Sequence, residues 1–309
     1  MDKNKTTLFL GRLRKDLKKY ASLYILAIPV VIWYILFHYK PMYGLIIAFK
    51  DYRPGLGIME SEWVGFKHFL SFFNSFYFER TVKNTLIISL TNIIFGFPAP
   101  IIFALLLNEI KNMKFKRTVQ TISYMPHFIS TVVVAGLINV FTAHNGFITS
   151  ILTKFGFPKV SLLTRQELFV PIYTISGIWQ SMGWGAIIYI AALSSVDQEL
   201  YEAAKIDGAN RWKQTIHVTL PGISSTIIIM LLLRLGSIMS VGFEKIILLY
   251  NELIYETSDV ISTFVYRRGL KEFQYSFSAA VGLFNTIINF ILIMIFNKIS
   301  KKVSEVSLW

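Results

Sequence analysis

The chain contains no cysteine. That removes disulfides, cysteine zinc sites and thiol nucleophiles together. Charge is also scarce: charged residues occupy 16% of the 309 positions, and acidic side chains number 18 against 31 lysines and arginines. No histidine–acid pair has metal-ligand spacing, so no metal site is predicted. No glycine-rich loop precedes a lysine in the pattern that cradles phosphate, so ATP is not expected to be hydrolysed here. Acidic and histidine residues do not cluster at the ends of apolar runs, as a membrane-embedded glycan or lipid transferase would need. Internal repeats are absent too, which counts against a secondary transporter built from two repeated halves.

What the chain has in abundance is apolar surface: 54% of residues are hydrophobic and the mean hydropathy is +0.53. A chain this apolar cannot cover itself with polar side chains, so lipid is the expected solvent for much of it. The net charge of +13 lies mainly beside apolar runs, which fits membrane topology better than nucleic-acid binding. An all-α membrane protein with six spans is predicted, near 20–39, 84–107, 119–142, 168–193, 221–241 and 276–298. The stretch Tyr20–Tyr39 follows Lys3, Lys5, Arg12, Arg14, Lys15, Lys18 and Lys19. It is long enough for a full span, about 30 Å as a helix, and no small-x-small site follows it, so an uncleaved first helix is expected. The second run carries Pro98 and Pro100, which predicts a kink covered by neighbouring helices. Pro221 is expected in the first turn of the fifth span, where a missing N–H costs nothing.

Basic residues set the orientation. With the N-terminus inside, the segments 1–19, 108–118, 194–220 and 299–309 carry 16 Lys and Arg over 68 positions, whereas 40–83, 143–167 and 242–275 carry 13 over 103. Both termini and the 194–220 loop are therefore expected on the cytoplasmic side of a six-helix transmembrane domain, 20–298. The first outer loop holds Tyr43, Tyr52, Trp63, Phe66, Phe69, Phe72, Phe73, Phe76, Tyr77 and Phe78, expected at headgroup level or capping the bundle.

The loop 194–220 reads as two short helices around a sharp turn. Ser195 and Gln198 have capping-box spacing, Gln198–Ile206 is a good helix former, and Gly208 supplies a left-handed stop. A second helix from Asn210 leads towards Pro221. Ala203 and Ala204 leave a nearly flat face, with Glu202 and Lys205 beside it; a compact helical knob of this kind suits a groove on a partner.

Glu202-Ala203-Ala204, Asp207-Gly208-Ala209 and Leu220-Pro221 resemble the EAA loop of permease subunits from binding-protein-dependent, ATP-driven (ABC-type) importers. Ile178-Trp179-Gln180 through Ala192-Leu193, Gly242-Phe243-Glu244 with Leu248 to Asn251, Asp259-Val260-Ile261, Tyr266-Arg267, Gly282 to Asn285, and Tyr43-Gly44 with Ala48 to Tyr52 are similar to the LplB-like polysaccharide and oligosaccharide branch. Thr215-Ile216 departs from the bulkier aromatic residue often found there. The resemblance implies the type I permease fold and a bacterial cell-membrane location. It implies a second homologous permease, two ATPase subunits holding ATP and magnesium, and an extracytoplasmic solute-binding protein. It also makes the loop a coupling helix, with Glu202 facing a basic residue of the ATPase and Gly208 permitting the bend.

Polar groups inside spans are the candidate solute contacts. Asn285 and Asn289 share a helix face, and Trp179, Gln180, Gly183 and Trp184 combine indoles, an amide and small residues. Rings that stack on sugar C–H faces and amides that read hydroxyls suit a carbohydrate cavity, although such residues also glue spans together. Arg234 can pair with a carboxylate on an anionic sugar, pair with a neighbouring subunit, or snorkel outward. His127, after Pro126, is expected to be hydrogen-bonded within the bundle.

Overall fold

The computed structural model describes residues 19–304 and 306–308. The basic N-terminal block before Lys19 lies outside the described residues. Leaving out single turns, the chain runs as α1 (Ala21–Phe49), β1 (Lys50–Asp51), β2 (Glu62–Trp63), α2 (Lys67–Phe73), α3 (Phe76–Glu109), α4 (Met113–Tyr124), α5 (Thr131–Thr142), α6 (Phe147–Lys154), α7 (Gln166–Ser194) and α8 (Gln198–Ile206). It continues as α9 (Arg211–Gly222), α10 (Ser224–Leu235), α11 (Phe243–Leu249), α12 (Ile261–Tyr266) and α13 (Tyr275–Ser304). The fold is helical apart from one small antiparallel ribbon, with Lys50 opposite Trp63 and Asp51 opposite Glu62.

Four stretches are long and apolar enough to cross a membrane: α1, α3, Thr131–Lys154 and α13; the bent pair α9–α10 makes a fifth. α7 has 29 residues, about 43 Å of helix, so it is long enough although more polar, and six spans are compatible with these elements. The boundaries differ from expectation: the first run continues to Phe49 rather than ending at 39, and the second starts at Phe76 rather than 84. The third predicted span, 119–142, is two helices parted by a tight turn at Met125–Phe128, because Pro126 cannot donate to the helical ladder. The fifth, 221–241, ends at Leu235. Pro221 sits in the three-residue segment Leu220–Gly222 ahead of the helix, and the chain turns by 63° before Ser224. The sixth runs past 298 to Ser304, and the tail folds back on it: Leu308 N donates to Asn297 Oδ1 at 2.8 Å and Ser300 Oγ to Val306 O at 2.7 Å.

α3 stays one span despite Pro98 and Pro100. A π-turn at Asn92–Gly96 precedes Pro98, and Phe97 N reaches Asn92 O at 2.9 Å. The widened turn accommodates the proline ring, which would otherwise crowd a carbonyl one turn earlier.

Two of the four apolar clusters centre on α7. At one end Ile88, Ala135, Ile138, Phe169, Tyr173 and Ile246 join α3, α5, α7 and α11. At the other, Ile101, Ala104, Ala186, Tyr189 and Leu193 lock α3 to α7, with Ile223 of the bend among them. α7 is the central post, and Gly183 explains how closely it packs: a Cβ there would lie 2.1 Å from the carbonyl oxygen of Ser123 on α4. The outer-loop aromatics divide. Phe72 is buried against Phe78, Phe264, Phe277 and Phe284 and caps the bundle, whereas Trp63, Phe66 and Phe76 are exposed.

Candidate functional site

The hairpin after α7 forms as the residues dictate, with one correction. Asp197, not Ser195, caps α8: its Oδ1 accepts from Glu199 N at 3.0 Å. Ser195 instead turns its hydroxyl onto Ala192 O at 2.7 Å, so the predicted capping box is not made. An ionised cap suits a helix start because its charge complements the dipole. The far end closes as a Schellman motif: Gly208 N donates to Lys205 O at 3.0 Å, Ala209 N to Ala204 O at 2.9 Å, and Gly208 has φ +74°. A side chain is strained in that conformation, and glycine is not.

Asn210 then starts α9, its Oδ1 accepting from Lys213 N at 2.9 Å. Gln214 Nε2 donates to Ala209 O at 2.8 Å, and the Tyr201 hydroxyl lies 3.0 Å from Thr219 Oγ1. Glu202, Ala203, Lys205 and Asp207 are exposed, while Ala204 and Ala209 are half-buried. Beside them stand apolar side chains in water: Leu200, Ile206 at 86% exposure and Trp212 at 72%. Large apolar groups grouped on a rigid polar hairpin mark an interaction surface. Trp212 and Ile206 had no part in the expectation from the sequence, which rested on the charged and small residues.

The second site is a cavity of about 570 Å³ between α3, α7, α10 and α11. Gln180, Trp184 and Arg234, three of the candidate solute contacts, line it with Asn92, Tyr173, Ser181, Tyr189, Ser237 and Lys245. No carboxylate belongs to its wall, and among the described residues none pairs with Arg234. Lys245 is the residue that sequence reasoning missed. Its Nζ donates to Tyr173 O at 3.2 Å and lies 5.0 Å from the Tyr173 ring centroid. Burial pushes the amine down to about 8. A smaller space of about 150 Å³ continues behind Arg234, lined by Ser89, Ser237, Ser240 and Gly242.

Three predicted solute contacts lie elsewhere. Trp179 does not line the cavity, because one residue before Gln180 turns it about 100° away around α7. Asn289 is packing: its Oδ1 accepts from Met239 N and its Nδ2 donates to Ser240 Oγ, both at 3.0 Å. It ties the turn that follows α10 to α13. Asn285, one turn earlier, also lies outside the cavity, and its Oδ1 is buried without a partner. His127 makes a ring contact in place of the expected hydrogen bond. It stacks on Trp184 with centroids 4.7 Å apart and planes within 2°, which fixes the indole at the cavity wall.

A bent span fed by a rigid hairpin, beside a cavity between helices, defines a membrane permease component. The chain belongs to the family of binding-protein-dependent transport system inner membrane components, whose model matches residues 96–305. It is 45% identical to the polygalacturonan/rhamnogalacturonan transport system permease protein YteP of Bacillus subtilis, over 92% of this chain and 88% of that one. It is 44% identical to Protein LplB of the same organism, over 95% and 92%. Among solved structures, it resembles a chain of a bacterial ABC transporter that imports the acidic polysaccharide alginate, with 44% identity, a TM-score of 0.88, and coverage of 95% of this chain and 99% of that one.

Proposed function

We propose that the chain is one permease subunit of an ATP-driven importer in a bacterial cell membrane, and that its solute is an acidic oligosaccharide. The observation that carries the acidic class is the cavity wall, which presents Arg234 and Lys245 and no carboxylate. Lys245 is buried there, and a buried cation is costly unless an anion completes it, while Arg234 stands open to the cavity. Trp184, Tyr173 and Tyr189 add ring surface, and Gln180, Ser181 and Asn92 add hydroxyl readers, the combination that a sugar acid needs. The reading is supported by likeness to permeases whose names cite polygalacturonan and alginate.

In this reading both termini are cytoplasmic, a homologous second permease completes the pore, and a solute-binding protein delivers solute from outside; a solved relative is in complex with such a protein carrying alginate pentasaccharide. Two ATPase subunits hold ATP and magnesium and grip the α8–α9 hairpin through Glu202, Ala203, Ala204 and the bend at Asp207-Gly208-Ala209. Their closure drives alternating access. This chain binds no cofactor and catalyses nothing itself.

The test compares uptake of an acidic oligosaccharide with its carboxyl-reduced, neutral counterpart by the complete importer. Arg234→Ala should slow the acidic probe at least tenfold, about the worth of one charge-assisted contact, and spare the neutral one. Equal losses for both probes would overturn the acidic reading. Copurification of the chain without any ATPase would overturn the importer reading.

A further inference from the structure

We infer that a second cavity, about 510 Å³ in volume, is a saccharide subsite that takes a sugar ring by its face without regard to charge. The inference rests on the carbohydrate reading above and adds a place where the solute is held before it reaches Arg234. The cavity lies where β1, α2 and the start of α13 meet the loop after α12. That is the end of the molecule opposite the hairpin: α3 starts here at Phe76, and its other end, Glu109, lies 3.8 Å from Arg211.

Six phenyl and phenol rings stand in its wall, among them Tyr52, Tyr275 and Phe273. Tyr52 and Tyr275 meet at 75°, with centroids 6.1 Å apart, and Phe273 and Tyr275 meet at 63° and 6.3 Å. In an edge-to-face pair one ring covers a single face of the other, so the opposite faces stay available for C–H surfaces where the rings are exposed, as Phe273 is. Phe273 is the most telling of them. It is the one non-glycine residue among those described with a positive φ, +58°, and its side chain is 69% exposed. Neither packing nor backbone preference accounts for a phenyl ring there; a ligand does.

Gln274, Ser71 and His68 supply hydrogen-bonding groups. The two full charges in the wall are already answered: Arg268 by Glu272 at 2.6 Å and Asp51 by Arg53 at 3.8 Å. Free ring faces, hydroxyl readers and no unanswered charge describe a site for a pyranose ring, neutral or acidic. A lipid chain would meet too many polar groups here.

The experiment uses the complete importer in proteoliposomes, with alginate pentasaccharide and its carboxyl-reduced form as probes. Phe273→Gly removes the ring and suits the backbone, so the thermal midpoint of the complex should not fall. Half-saturation for uptake should rise roughly three- to tenfold for both probes, the worth of one stacking contact, with maximal rate unchanged, and Phe273→Tyr should restore it. Unchanged half-saturation for Phe273→Gly would overturn the subsite. A rise matched by weaker capture of the solute-binding protein would overturn it too, making this face a protein contact. Equal losses of both probes in Arg234→Ala would sink the acidic reading alone, whereas a wild-type importer that moves neither probe would sink the carbohydrate reading and the subsite with it.

Discussion

The Tyr201 hydroxyl and Thr219 Oγ1 lie 3.0 Å apart, joining α8 to the turn that feeds the bent span. Thr219 is itself buried and also donates to Gln214 O. The hairpin is thus tied to the span across its open side as well as through the chain. Tyr201→Phe should cost about 1 kcal/mol, the net worth of a hydrogen bond. The larger effect is on coupling: ATP hydrolysis by the assembled importer should continue while uptake per ATP falls. Unchanged stoichiometry would show that the tie transmits nothing.

Gly208 permits a graded test. Gly208→Ala keeps the Schellman hydrogen bonds but holds an alanine at φ +74°, a strain of about 1 kcal/mol, so uptake should drop modestly. Gly208→Pro cannot reach a positive φ and lacks the N–H that bonds Lys205 O. It should abolish uptake while the protein remains in the membrane at normal amounts. Wild-type uptake by the proline variant would refute the role of the hairpin.

Lys245 lies on α11, outside the membrane-spanning helices, and its amine titrates near 8 where burial lowers it from 10.5. It carries its charge below that value and loses it above. Uptake of an acidic oligosaccharide should therefore decline between about pH 7 and 9, and a neutral one should not. Lys245→Arg should flatten the profile, since a guanidinium stays charged. Stability moves the other way. Between about 8 and 10.5 the unfolded chain binds more protons than the folded one, so stability rises with pH across that window. Identical pH profiles for both probes would remove Lys245 from solute recognition.

Asp259 is fully buried between two guanidiniums, Arg80 Nη2 at 3.1 Å and Arg267 Nη2 at 2.5 Å, and Thr263 donates to it at 2.9 Å. Asn84 adds a bond to its backbone carbonyl at 3.0 Å. The cluster pins α3 to α12. Asp259→Ala leaves Arg267 without its anion and Arg80 with only the half-exposed Glu256 at 3.0 Å, and should cost about 3–5 kcal/mol, read as a lower thermal midpoint of the complex. An unchanged midpoint would show that solvent or lipid already satisfies the arginines.

The sequence announces what depends on one element at a time. Helix length, the glycine stop at 208 and the asparagine start at 210 follow from local rules, and each is present. Gln180 and Trp184, four apart on α7, reach the cavity together. What depends on how elements lean on one another is not legible. The 63° turn at Ile223 has no proline or glycine at its own position and is held by burial of that side chain among α3 and α7 residues. Lys245 follows Gly242 in a stretch that reads as an outer loop, and only the packing of α11 on α7 turns it inward. Asn289 resembles a ligand-binding amide until the turn after α10 is seen to hold both of its polar atoms.

The first span has a consequence of its own. α1 is apolar on every side, and none of the 18 residues of its most apolar stretch is buried by the rest of the chain. The bilayer can set the depth and tilt of such a rod, but a rod alike all round has no preferred roll about its axis. The chain fixes its azimuth only at the far end, where Ala48 packs against Phe69 and Ala280; along the rest of the rod a neighbour must supply it.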